Sequence, residues 1–178
     1  MSSISIIKTL EDKCYVMSIV CGDCSRYFNK IKNILLIPLI LVSSFLVVAN
    51  GNADDTNEWI KYVNMALNGM NILLMGIQSK LEVVEKTHMF NELSKKYSQL
   101  YNDICNKQML EEVDAVYLHE ITMKYDNLQN SDISIPNKIR KRVIDKYKNK
   151  RVLPNCLMSS ADRNDSPSNS VNLINANV

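Results

Sequence analysis

The sequence predicts an all-α chain: a two-span transmembrane helical hairpin with long amphipathic cytosolic helices. Two charge-free stretches, a skewed distribution of Lys and Arg, and apolar residues recurring every three or four positions elsewhere carry that prediction. Residues 33–53 form 21 positions without a charge, and residues 62–79 form another 18. Of the 21 Lys and Arg in the 178-residue chain, only Lys61 falls between Asn33 and Ser79. The net charge of +2 excludes a globally basic nucleic-acid binder and an acidic disordered chain. Four Gly and four Pro exclude a collagen-like or low-complexity chain. The mean hydropathy of −0.13 suggests a soluble protein, but it averages apolar spans with a polar majority.

The N-terminal region, residues 1–32, reads as a cytosolic amphipathic helix. Ile7, Leu10, Cys14, Met17, Cys21, Cys24, Phe28 and Ile31 keep a strict 3-4 spacing, with Gly22 as the weak point. This helix is expected to run on into the first span, residues 33–53. About 20 apolar residues at about 1.5 Å each cover a hydrocarbon core of about 30 Å. Pro38 lies one turn in, a tolerated position within a bundle. The second span, residues 62–79, has the length but carries more polar groups, as suits the return leg of a hairpin. Two other readings compete: a signal anchor followed by a buried soluble helix, and a cleaved signal peptide ending near Ala49. The second is disfavoured by the long charged region ahead of it.

Orientation follows from the flanks. Arg26, Lys30 and Lys32 precede the first span, and Lys80 and Lys86 follow the second. The connector, residues 54–61, sets Asp54, Asp55 and Glu58 against Lys61. Positive residues stay inside, so both termini are expected in the cytosol. Trp59 and Tyr62 stand where interfacial aromatics belong.

Within the second span Asn64, Asn68, Asn71, Met75 and Gln78 are spaced 4, 3, 4, 3, which aligns four amides in one helical stripe. Gly69 and Gly76, seven apart, allow close backbone approach. Amides in hydrocarbon need protein or water. The stripe therefore reads either as interhelical hydrogen bonding, against Ser43 and Ser44 or across an oligomer, or as the lining of a polar pore.

Residues 80–130 read as cytosolic helices. Leu81, Val84, Leu93, Tyr97, Leu100 and Ile104 give one seam, and Leu110, Val113, Tyr117, Ile121 and Leu128 a second, after a break near Asn106 and Lys107. Residues 131–151 hold a Pro136 break and a basic helix. Lys138, Arg140, Lys141, Arg142, Lys146, Lys148, Lys150 and Arg151 face a single acid, Asp145, while Ile139, Val143 and Tyr147 give one apolar edge. That helix is a solvated face, a dock for anionic lipid or a partner, or, least in keeping with a membrane hairpin, a nucleic-acid contact. Residues 152–178, rich in Ser, Asn and Asp, read as a disordered tail.

No catalytic constellation is present. Walker, GxSxG and GxGxxG motifs are missing, and His88 and His119 are isolated. Cys21 and Cys24 have CxxC spacing with Cys14 on the same face, but no second pair accompanies them, and seam packing accounts for all three. Glu111, Glu112 and Asp114 read as an exposed acidic edge. No enzyme activity, cofactor or metal is expected, and an odd count of five cysteines on the cytosolic side gives no reason to expect disulfides.

The ordered features resemble the SLATT (SMODS and SLOG-associating two-transmembrane effector) family, in the form found in large DNA viruses. The residues that carry the resemblance are Tyr27, Phe28, Asn29 and Lys30 leading into residues 36–44, then Asn68 or Asn71 with Ile72, Ile77, Gln78, Leu81, Val83 and Glu85. It continues through Tyr97, Leu100 and residues 102–104, then residues 124–128 and 135–139, and spans roughly residues 5–145. It departs at Tyr97, where the family has Trp, and at His88, which is out of register. The resemblance implies an oligomeric membrane protein, a pore-forming or membrane-perturbing effector driven by an upstream sensor protein. The expected partners are thus the lipid bilayer, other copies of the chain and a sensor, and not nucleic acid. A non-enzymatic membrane anchor or adaptor, recruiting a partner or anionic lipid through the basic helix, is the alternative.

Overall fold

A computed structural model describes residues 3–51, 58–110, 113–130 and 134–158. Asp54 and Asp55 of the connector, Glu111 and Glu112, and residues 159–178 of the expected tail lie outside the described residues. All regular structure among the described residues is helical.

Helix α1 (Ser3–Gly51) is one unbroken rod of 49 residues that passes through both Gly22 and Pro38. At about 1.5 Å per residue it is about 73 Å long. Among the described helices it alone is long and apolar enough to cross a membrane, with a mean hydropathy of 2.3 in its most apolar window. Helix α2 (Glu58–Leu81) lies antiparallel to the apolar end of α1, where Asn71 Nδ2 donates to Ser43 Oγ at 3.2 Å. Its amides keep it below that hydropathy, so composition marks one span here rather than two.

Helix α3 (Val83–Met109) returns along the polar end of α1. Ser94 Oγ donates to Ser18 O at 2.8 Å, and Ser25 Oγ donates to Thr87 O at 3.2 Å, which fixes the antiparallel register. A Cβ at Gly22 would stand 3.3 Å from Ser94 Oγ, so the weak point of the helix falls where the α3 side chain comes close. Phe28 stacks on Phe90 with ring centroids 5.6 Å apart.

Helices α4 (Ala115–Gln129) and α5 (Asn137–Tyr147) complete a bundle around the first half of α1. α3 ends at Met109 and α4 begins at Ala115, a few residues later than the expected break. Asp114, exposed as expected, is the N-cap of α4, accepting from Tyr117 N at 2.7 Å. Leu110, expected on the second seam, is exposed as a result.

The N-terminal seam is buried from Ile7 to Cys24, and α1 also buries Val16 and Val20 because α3, α4 and α5 all pack against it. The expected start of the α3 seam is corrected: Leu81 and Val84 are exposed, whereas Val83 and Phe90 are buried. A left-handed residue, Glu82, resets the helical phase between them. The tail is corrected as well. Residues 152–158 close over the core, with a 3-10 turn at Asn155–Leu157 and with Leu153, Pro154 and Leu157 buried. Ile135 joins the same core.

Tyr97 sits at its centre, fully buried, edge-on to Tyr125 with ring centroids 6.1 Å apart. The hydroxyls of both rings are buried without a hydrogen-bond partner. Truncating Tyr97 to Ala is expected to cost about 3–5 kcal/mol of bundle stability. Tyr97→Phe keeps the ring, removes an unsatisfied hydroxyl and is expected to be neutral or stabilising. Denaturant unfolding of both variants checks the pair; a large loss in Tyr97→Phe would show that the hydroxyl has a partner.

Candidate functional site

Three groups of side chains stand out on the fold: the amides of α2, the α2–α3 junction and the basic segment after Pro136. The four amides do not share one environment. Asn64, Asn71 and Gln78, spaced by seven, are half-buried on the side of α2 that meets α1, together with Leu67 and Leu74. Asn68 is exposed, and so is Met75. Asn71 makes the expected interhelical bond to Ser43, while its Oδ1 is buried and accepts nothing. Gly69 and Gly76 face the other way. A Cβ at either would meet nothing within 4 Å, so the close approach they allow is not used against α1.

At the junction, Glu82 adopts φ 49° and ψ 35°, the one non-glycine residue with positive φ among those described. That conformation costs an L-residue about 1–2 kcal/mol. Around it Glu82 N donates to Ser79 O at 3.2 Å, and Lys86 Nζ donates to Leu81 O at 3.2 Å. The Lys86 ammonium also stands 3.6 Å from the exposed Glu82 carboxylate. Sequence inspection places no special residue here. The available signal is the step in seam phase between Gln78 and Val83.

The basic segment divides by function. Helix α5 ends at Tyr147, so Lys148 and Lys150 stand in a turn and Arg151 beyond it, not on a helix as expected. Ile139, Val143 and Tyr147 are buried, as their spacing predicts. Arg142 donates to Asp23 at 2.6 Å. Arg151 donates to Asp12 at 2.8 Å and lies over the Tyr15 ring, 4.0 Å from its centroid. Asp12 also accepts from Val152 N at 3.3 Å. These two carboxylates on α1, unremarkable in the sequence, clamp the returning chain. Arg140 is half-buried, its Nε without a partner. Lys138, Lys141, Lys146, Lys148 and Lys150 are exposed. Lys146 lies 5.2 Å from the centroid of the Tyr147 ring. An open cleft of about 710 Å³ adjoins Asp12, Ile144, Lys148, Lys150, Arg151 and Leu153.

Cys14, Cys21 and Cys24 are buried in the seam, and no group of three metal-ligating side chains forms among the described residues. Burial pushes each thiol from the usual 9.0 up to about 12. The Asp23 carboxylate adds to the rise at Cys24. Such thiols are held as small apolar groups rather than as thiolates. Cys156 stands 3.5 Å from the Met17 sulfur.

Comparison with protein families, curated proteins and solved structures returns no match.

The raised thiols carry a pH signature. Folded and unfolded chains hold these protons alike below about 9, and above it the unfolded chain releases them first. Stability is therefore expected to fall as pH rises from about 9 towards about 12, and a Cys14→Ala, Cys21→Ala, Cys24→Ala variant to fall less over that range. Denaturant midpoints across that range measure it; parallel curves would refute the burial argument.

Proposed function

We propose that the chain is a two-span integral membrane protein with cytosolic termini that assembles with copies of itself and perturbs the bilayer, as SLATT-type effectors are expected to do. One observation supports this above the others. The packed core draws on residues 7–24 and 90–157, and beyond it both α1 and α2 present large apolar side chains outward. Ile34 is 68% exposed and Leu41 65% on α1, and Ile72 is 70% and Leu73 68% on α2. Nothing among the described residues covers them, and no charge interrupts residues 33–53 or 62–79. Exposed apolar surface on this scale needs an apolar solvent. The amides that lower the hydropathy of α2 lie largely against α1, and Asn71 is bonded there, so their polarity does not count against a hairpin in lipid. The abundance of flanking Lys and Arg orients the hairpin with its bundle inside.

A membrane anchor or adaptor is the second reading, favoured by one observation. The arginines Arg142 and Arg151 are spent on Asp23 and Asp12, but five lysines of the same segment remain exposed. Such a surface suits an acidic partner.

The two readings separate in vesicles. Purified full-length protein in dye-loaded liposomes is expected to release dye, and Asn68→Leu with Asn71→Leu to bring release down to the protein-free level. Charge reversal at Lys138, Lys141, Lys148 and Lys150 is expected to leave release intact. The adaptor reading predicts no release from any of these proteins and loss of partner capture on charge reversal. In detergent, a defined assembly of several copies is expected, and a monomer would defeat the pore.

A further inference from the structure

We infer that Glu82 is a register switch: the α2–α3 junction lets α2 take either of two faces against α1. This builds on the hairpin reading above. The residues of α2 covered by α1 are Asn64, Leu67, Asn71, Leu74 and Gln78, a 3-4-3-4 seam. The buried seam of α3 runs through Val83, Phe90, Leu93, Tyr97, Leu100 and Ile104. These seams are out of phase by alternately one and two residues, about 150° of helix rotation. Continued into α3, the α2 seam would pass through Glu85, His88, Glu92, Lys95 and Gln99, all of them exposed.

α1 runs as one continuous helix past both contacts, so an unbroken α2–α3 helix presents only one of the two seams to it. The left-handed conformation at Glu82 absorbs the mismatch. Its strain opposes the bent state, and the α3 seam is fixed by the large core around Tyr97. Relaxation of Glu82 into the right-handed helix therefore turns α2 rather than α3. Carried back into α2, the α3 seam runs through Ser79, Gly76, Ile72, Gly69 and Met65. Gly69 and Gly76 now face open space, and this turn would bring them onto α1, where small residues permit close packing. The same turn carries Asn71 and Gln78 off α1. A cleft of about 420 Å³ among Leu39, Gln78, Ser79, Glu82, Val83 and Val84 leaves room for it at the junction.

Cysteine pairs read the register directly. Full-length protein in liposomes carries either Ser43→Cys with Asn71→Cys, or Ser43→Cys with Ile72→Cys. Copper–phenanthroline oxidises the facing thiols to a disulfide, which traps a minor state as it forms. Mass spectrometry of digests separates the new link from the native cysteines. Both pairs are expected to cross-link, the second more slowly. Glu82→Gly, which removes the left-handed strain, is expected to slow the second pair about five-fold and leave the first unchanged. Deleting Glu82 cuts the phase step from about 150° to about 50° and is expected to abolish the second link alone. Absence of the second link from the parent chain, or equal rates in Glu82→Gly, overturns the switch. Dye release is a separate readout: cross-links as expected without release would sink the pore and keep the switch.

Discussion

One continuous helix carries two kinds of surface, a packed half and an apolar exposed end, and the rest of the chain is arranged around that difference. The first half of α1 is buried by α3, α4 and α5, and its apolar end lies against α2. Because α1 is continuous, every returning helix must match the face it presents. That requirement fits Gly22, which lies close to Ser94, and the two serine hydroxyls that donate across the α1–α3 seam. It also explains why the strained backbone is found at Glu82 and nowhere else among the described non-glycine residues. Strain collects where two well-packed seams cannot both continue.

The polar groups follow the same division. In the bundle, charge acts as fastening. Asp12 and Asp23 hold Arg151 and Arg142, and the Tyr15 ring under Arg151 stiffens the outer end of that clamp. Both pairs retain water access, so their effect is to fix where the chain lies more than to add stability. Once Arg151 is fixed, residues 153–157 fall onto the core and Leu157 is fully buried. In the hairpin there are no charges to fasten with, and an amide bonded to a serine hydroxyl performs that part.

Much of this was legible in the residues. The all-helical class, the continuity of the first helix and the apolar edge of α5 all follow from spacing, because spacing reports which face a helix buries. Three features escaped for physical reasons. The phase step at Glu82 does not show in a single period carried across the boundary, which places Leu81 and Val84 on a seam that belongs to Val83 and Phe90. The buried Leu153 and Leu157 sit in a segment without periodicity, and tertiary contact alone orders it. The environments of Asn64, Asn68 and Asn71 depend on where α1 lies around α2, which no pattern within α2 contains.

The same rod also bears on what the basic segment can touch. Pairing of Arg142 with Asp23 and of Arg151 with Asp12 makes α5 run antiparallel to α1. About 15 Å of helix lies between Asp23 and Asn33, and about 30 Å between Asp12 and Asn33, at about 1.5 Å per residue. On the membrane reading, Asn33 marks the cytosolic edge of the span. Attraction to an anionic leaflet decays within a Debye length of about 8–10 Å. Lys138, at the near end of α5, stands close enough to feel it. Lys148, Lys150 and Arg151 stand several screening lengths away, beside the open cleft at Asp12. On that reading the lysines around the cleft are presented to whatever approaches from the cytosol, and the headgroups of the bilayer are out of their reach.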